Sequence, residues 1–347
     1  MRTNSVIGIV AMVTVLGGGA VKLRGQAGGD VKAREVIAQA RQALGGEKKL
    51  AGLKALSLKA DYRRELTASM GAGGTMTFVM MGGPGGGSGP ASQATGELEI
   101  DVAFPDRYYR QDTGTSGLSM TRIEGFEGDR PFVDIVANSP GMRVSVDKPT
   151  GDPARTKAAL KRSRSDLARL LLGLVAGTQP GFAATFTYAG QAESPDGAAH
   201  MIDVSGPEDF KARLFIDTTS HQPLMLTYME PEARPIRMVT RPGSPGGAAG
   251  TSITSHGGST SASGAAAAPL TPEQRAELEK QMKEAEATPP KLVEQRLYFA
   301  DYREIDGLML PHRITRGTAG KPTEEWDVKG YKVNPEIKAD RFKVGTE

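Results

Sequence analysis

The chain has 347 residues with 43 Lys and Arg against 40 Asp and Glu, so its pI of about 8.9 reflects a small excess and gives no nucleic-acid footprint. It contains no cysteine, which excludes disulfides and a lipidated N-terminal cysteine. Glycine, at 44 positions, is nearly twice as frequent as the usual fraction of about 7%, and its clustering marks particular tracts, not the whole chain, as poor in packing.

Arg2, an apolar run from Val6 to Leu16 and the small residues Gly18-Gly-Ala20 follow the order of a secretory signal. About eleven apolar residues cannot span a bilayer. The expectation is an exported, periplasmic protein whose residues 1–20 form the signal, with cleavage after Ala20 or as late as Ala27. The plainer alternative is a buried strand or short helix. No later run of about 18 apolar residues supports a membrane anchor.

Val36, Ile37, Ala40 and Leu44 lie at helical spacing between Val31 and Leu44, and Gly45-Gly46 is a helix stop. From Leu56 the period becomes two. Leu56, Leu58, Ala60 and Tyr62 oppose Ser57, Lys59, Asp61 and Arg63 on a half-buried strand. A strand is expected over Thr75–Met81, then a Gly-rich loop over 82–95 whose densest part is Gly82 to Ser92. In Glu97–Phe104, Leu98, Ile100, Val102 and Phe104 alternate with Glu97, Glu99 and Asp101. Arg107–Gln111, Leu118–Glu124 and Phe132–Val136 continue a meander. Arg155–Val175 then reads as a long helix, with Leu160, Leu167, Leu170, Leu171 and Leu174 in a stripe.

Strands resume at Ala184–Tyr188, His200–Val204, Lys211–Asp217 and Pro223–Glu230, separated by Pro, Gly, Asp and Ser. Residues 241–290 read as an insertion. Arg241 to Pro269 has the composition of a disordered linker, and Thr271 to Ala287 that of a solvated helix with only Leu278 and Met282 on its stripe. Leu292 to Ile314 is a hairpin turning at Asp306-Gly307, because glycine accepts the positive φ that a tight hairpin needs. These elements predict a mainly β (α+β) fold, a curved antiparallel sheet or open half-barrel with covering helices, formed by one discontinuous domain of residues 30–240 plus 291–344.

The C-terminal hairpin, followed by the run from Trp326 to Asn334 and by Asp340-Arg-Phe342, resembles the end of the periplasmic lipoprotein-carrier superfamily, the LolA, LolB and LppX type that includes outer membrane lipoprotein-sorting proteins. Leu214 to Leu224 and Ala43-Leu-Gly-Gly46 with Leu50 and Leu53 are similar to further parts of that fold, and the pieces span about two thirds of the chain. The resemblance implies non-catalytic carriage of lipid or lipoprotein acyl chains. No functional motif maps onto it residue by residue.

The four histidines, His200, His221, His256 and His312, lack zinc spacing, and His312 after Pro311 reads as a surface or turn residue. Ser88 has no nucleophile-elbow context. Glu124, Glu127, Asp129 and Asp134 gather at a turn without calcium-loop spacing and read as solvated. No catalytic residue, metal or cofactor is therefore expected. Arg155, Lys157, Lys161, Arg162 and Arg164 oppose the leucine stripe and are candidates for transient contact with an anionic membrane surface, or are the wet side of an ordinary covering helix. Tyr62, Leu98, Ile100, Val102, Phe104, Leu214, Ile216, Leu226, Tyr228, Phe299 and Trp326 are either solid core or the lining of an acyl-chain cavity. The partners this implies are lipid or lipoprotein acyl chains, with no nucleic acid. The rival is an envelope scaffold with a fully packed sheet. Limited proteolysis should begin within Gly82 to Ser92 or Arg241 to Ala287 and leave a resistant core; early cleavage inside Glu97 to Phe104 contradicts the strand assignment.

Overall fold

The computed structural model describes residues 26–66, 92–116, 118–137, 144–146, 153–194, 197–232, 238–240, 251–255, 258–262 and 291–343. The signal region, the strand expected at Thr75–Met81 and the helix from Thr271 to Ala287 lie outside them. Helices α1 (Gln26–Ala43) and α2 (Glu47–Ala51) precede the strands β1 (Ala55–Leu66), β2 (Ser92–Ala103), β3 (Arg107–Ser116), β4 (Leu118–Glu127), β5 (Arg130–Ala137) and β6 (Val144–Val146). Helix α3 (Pro153–Val175) leads to β7 (Thr185–Ser194), β8 (Gly197–Ser205), β9 (Lys211–Asp217), β10 (Pro223–Pro231), β11 (Met238–Thr240), β12 (Thr251–Ser255) and β13 (Gly258–Ala262). The chain closes with β14 (Leu292–Ile305), β15 (Leu308–Thr318), β16 (Lys321–Val333) and a 3-10 turn at Ala339–Phe342, a second such turn lying at Pro207–Asp209 between β8 and β9.

Twelve strands form one antiparallel sheet in the order β5-β4-β3-β2-β1-β16-β15-β14-β10-β9-β8-β7. β5 and β7 end the order without pairing to each other, so the sheet is open. The direct pairing of β10 with β14 makes it continuous on either side of residues 232–291. A second, four-stranded sheet joins β11, β12, β13 and β6. Part of the span read as linker is thus extended and paired, through runs such as Thr251-Ser-Ile-Thr-Ser255 whose β-branched residues suit a strand. β2 likewise begins at Ser92, within the span read as a Gly-rich loop. Gly96 lies opposite Tyr62 in β1, and a Cβ there would overlap the tyrosine ring, so glycine serves here as packing space.

Both glycine stops act as their sequence suggests. Gly45 takes φ 128°, and Gly45 N–H and Gly46 N–H donate to Gln42 and Arg41 carbonyls at 3.3 and 2.9 Å, closing α1 with a Schellman motif. Asp306 and Gly307 have φ of 51° and 77°, the signature of a two-residue hairpin turn with positive φ at both central positions. The two devices meet, since Lys49 Nζ donates to Gly307 O at 3.2 Å and Met309 N–H to Leu44 O at 3.1 Å.

α3 shows that the sheet curves. Arg164 reaches Asp129, in the β4–β5 turn, at 2.8 Å, while Arg169 reaches Glu230 on β10 at 2.7 Å. These two arginines are separated by about 7.5 Å of helix rise, whereas β4 and β10 are seven strand spacings apart, about 34 Å on a flat sheet. The wings must therefore fold around the helix. From Leu167 to Val175 every residue except Arg169 is buried, so this half is apolar nearly all round and sits inside the concavity. Its C-terminus receives the Arg41 guanidinium, which donates to Val175 O at 3.2 Å.

Gly173 marks a close approach of α3 to the sheet, since a Cβ there would overlap the Phe299 ring. Gly173→Ala should gain about 1 kcal/mol of helix propensity yet lose stability by roughly 1 to 3 kcal/mol through overpacking. Urea denaturation should show the loss shrinking in a Phe299→Leu background; a substitution that stabilises the wild-type protein would contradict this contact.

Candidate functional site

The concave face has two chemically distinct parts, both built by strand parity. Tyr62, Leu98, Ile100, Val102, Leu214, Ile216, Leu226, Tyr228, Phe299 and Trp326 all point inward and are buried in one hydrophobic cluster, with Phe104, just past β2, packed against it. Cross-strand register sets Tyr62, Trp326, Ile314 and Phe299 in one row, and Leu297, Leu226, Leu214 and Ile202 in another. Leu167, Leu170, Leu171, Leu172 and Leu174 of α3 belong to the same cluster. Fully burying each large side chain contributes about 1.5 to 3 kcal/mol.

The opposite parity of β2 faces outward. Glu99 pairs with Lys59 and with Arg341, and Asp101 accepts from Ser57 Oγ at 2.5 Å and from Arg341 at 2.8 Å. Between this face and Pro335–Lys338 lies an open groove of about 520 Å³, walled by Lys59, Lys329, Lys332 and Lys338 together with Glu99 and Asp101. It is on the far side of the sheet from the apolar floor.

The second part of the concave face is a belt of buried charge that the sequence reading missed. Arg64 bonds Glu324 at 2.7 Å and lies 3.8 Å from Asp112. Arg110 grips Asp112 through two bonds of 2.8 and 2.9 Å and stands over the Trp326 ring, while the Trp326 indole donates to Glu324. Arg122 bonds Glu124 at 2.7 Å. Arg169 of α3 bonds Asp166 at 2.9 Å and Glu230 at 2.7 Å, and Arg316 on β15 lies opposite Glu324 on β16. The signal lay in the alternation itself. Arg64 shares parity with Tyr62, Arg110 and Asp112 with Tyr108, Arg122 and Glu124 with Phe126, Arg316 with Ile314, and Glu324 with Trp326.

Two sequence expectations are corrected here. Glu124 is not a solvated turn residue: it is the seventh residue of β4, its side chain 13% exposed, held between Arg122 and Arg110. Burial disfavours its charge, but those two arginines outweigh this and lower its pKa. His312 is 5% exposed, packs edge-on to Tyr331 with ring centroids 5.5 Å apart, and has Nδ1 3.0 Å from Leu310 O. It shares strand parity with Leu310 and Ile314, both buried, and therefore points inward with them while Arg313 points out.

On α3, Arg155, Lys157, Lys161 and Arg162 are exposed along the N-terminal half. Arg164 differs from them. It bonds Asp129 and Gly128 O and stands over Phe126, so it anchors the helix to the sheet. Among the described residues no three His, Cys, Asp or Glu side chains converge as metal ligands, and no helix is long and apolar enough to cross a membrane.

No protein-family model matches the chain, and no curated protein matches it. Among solved structures it is similar to a LolA superfamily protein from Nitrosomonas europaea, with 8% identity over 89% of this chain and 96% of that one at a TM-score of 0.42. A protein domain from Vibrio parahaemolyticus, described as outer membrane lipoprotein-sorting, matches with 8% identity over 90% and 97% of the chains at a TM-score of 0.39. A DUF1329 family protein from Desulfovibrio piger matches with 6% identity over 89% and 96% at 0.37.

The belt makes stability depend on acid. Burial alone would raise the Glu324 pKa, but the charges of Arg64, Arg316 and Arg110 pull it down to about 2 from 4.5. A carboxylate with a depressed folded-state pKa contributes stability that is fully present above about 4.5 and is lost as pH falls toward 2. Unfolding free energies from urea denaturation across that window should fall by an amount on the order of 3 kcal/mol from this residue, and Glu324→Gln should flatten the slope. An unchanged slope would show that Glu324 is not held by the arginines.

Proposed function

We propose that the chain is an exported, non-catalytic carrier or binding protein of the cell envelope, whose ligand is lipid or the acyl chain of a lipoprotein. The observation that carries this reading is the way the apolar floor is covered. One helix, α3, lies over it by side-chain packing with only scattered polar tethers: Arg164 to Asp129, Arg169 to Glu230, and Tyr302 Oη donating to Gly173 O at 3.3 Å. A shift of α3 uncovers a mainly aliphatic surface bounded by strands, which suits acyl chains better than sugars or bases. The exposed Lys157, Lys161 and Arg162 on the outer half of the same helix support contact with anionic headgroups while cargo is exchanged. The reading also accords with the resemblance of the terminal strands to periplasmic lipoprotein carriers.

A second reading has its own observation. Leu98, Leu214, Ile216 and Leu226 are 0% exposed, as in a solid core, and this favours an envelope scaffold. Two measurements separate them. A carrier gently purified from its host retains lipid in native mass spectrometry and, once delipidated, binds fluorescent fatty-acid probes; a scaffold does neither. Ile100→Ser should weaken probe binding at a cost below the roughly 2 to 5 kcal/mol of emptying a packed core site, while Glu99→Ser, on the outer face, should leave probe binding unchanged. Unfolding by Ile100→Ser, with no binding phenotype in any folded fraction, would favour the scaffold.

A further inference from the structure

The charged belt is balanced in sign. Five arginines, Arg64, Arg110, Arg122, Arg169 and Arg316, face five carboxylates, Asp112, Glu124, Asp166, Glu230 and Glu324. One corner is incompletely paired. Tyr228 is 4% exposed, yet its hydroxyl has no hydrogen-bond partner among the described residues, and the buried Nε–H groups of Arg169 and Arg316 likewise have no acceptor. Arg122 Nε is also without one, but it lies at the other end of the belt on β4.

These groups are neighbours. The Arg169 guanidinium stands 3.8 Å from the centroid of the Tyr228 ring. Tyr228 is the foremost influence on Arg316 ionisation, and Arg316 is the foremost charge acting on Tyr228, whose hydroxyl pKa is raised first by burial. The carboxylates that approach Arg316 are engaged elsewhere, Glu324 by Arg64 and Trp326, and Asp166 by Arg169. The two Nε–H groups can only donate, and the Tyr228 hydroxyl has a proton to donate as well. Such a set is complemented by an anion rich in acceptors, a phosphate or a carboxylate.

The corner also borders the apolar floor. Arg316 is in register with Leu297 and Leu226, and Tyr228 lies two residues beyond Leu226 on the same face of β10. We propose that Tyr228, Arg169 and Arg316 form a headgroup site for an anionic amphiphile, holding a phosphate or carboxylate while the acyl chain lies along the leucine row beneath α3. This rests on the carrier reading and narrows it to a charged class of lipid.

Calorimetric titration of the delipidated full chain with palmitoyl lysophosphatidic acid, palmitate, monopalmitoylglycerol and inorganic phosphate tests it. The two anionic amphiphiles should bind at least tenfold tighter than monopalmitoylglycerol. Arg316→Gln and Tyr228→Phe should each erase most of that preference for the charged over the neutral amphiphile. Tyr228→Phe removes only a hydroxyl without a partner, so it reports even where Arg316→Gln fails to fold. Equal binding of charged and neutral amphiphiles, unaltered in both variants, overturns the headgroup site and leaves the carrier reading standing. Failure of every acylated probe overturns the carrier reading and with it the amphiphile. Phosphate binding that Arg316→Gln abolishes would in that case support the anion site with free phosphate as its occupant, and absence of phosphate binding would overturn the site too.

Discussion

An antiparallel sheet of twelve strands with one apolar face must have that face covered, and here the cover is mainly a single helix. The C-terminal half of α3 is apolar nearly all round because the concave sheet surrounds it, with β4 and β5 approaching from one wing and β9 and β10 from the other. Curvature, burial and the path of the chain all follow from that fit. Gly173 lets the helix come down onto Phe299, and Arg41 satisfies the carbonyl end that would otherwise be left in the interior. The same glycine stop that ends α1 brings Arg41 and Leu44 into position, so the first helix and the C-terminal hairpin are tied to the seating of the third.

The charged belt works differently from the apolar floor. Hydrophobic packing holds α3 strongly but does not specify its rotation or its position along the groove, whereas a buried ion pair is costly when broken and only modestly favourable when formed. Arg169, bonded to Asp166 on its own helix and to Glu230 on one wing, therefore fixes the register of the helix more than it adds to its affinity. The floor has many interchangeable aliphatic contacts and the belt has few, directional ones. In a binding protein of the kind proposed, that division lets the chain-length tolerance of an apolar surface coexist with selection at one polar end.

The strands and their order of faces were largely legible from residue alternation. Leu98, Ile100 and Val102 against Glu97, Glu99 and Asp101 required one dry and one wet face, and Asp306-Gly307 required a hairpin, because both are local consequences of strand geometry and backbone φ. The long helix was equally clear. Less legible was how far each element ran: β2 extends back to Ser92 because β1 and β3 pair with it and because Gly96 makes room for Tyr62, a partnership formed by residues 34 positions apart.

What the sequence by itself determined was therefore the periodicity of each segment, its stops and the side it buries, since these depend on neighbours within a few residues. Tertiary structure alone decided that arginines and carboxylates sharing parity with the core would find one another across β1, β3, β4, β15, β16 and α3. A buried charge is tolerated only beside its partner, and the partners here come from opposite ends of the chain, as Arg64 and Glu324 do. His312 and Glu124 also share parity with buried neighbours, and their burial is tolerated because the folded sheet supplies Tyr331 to one and two arginines to the other.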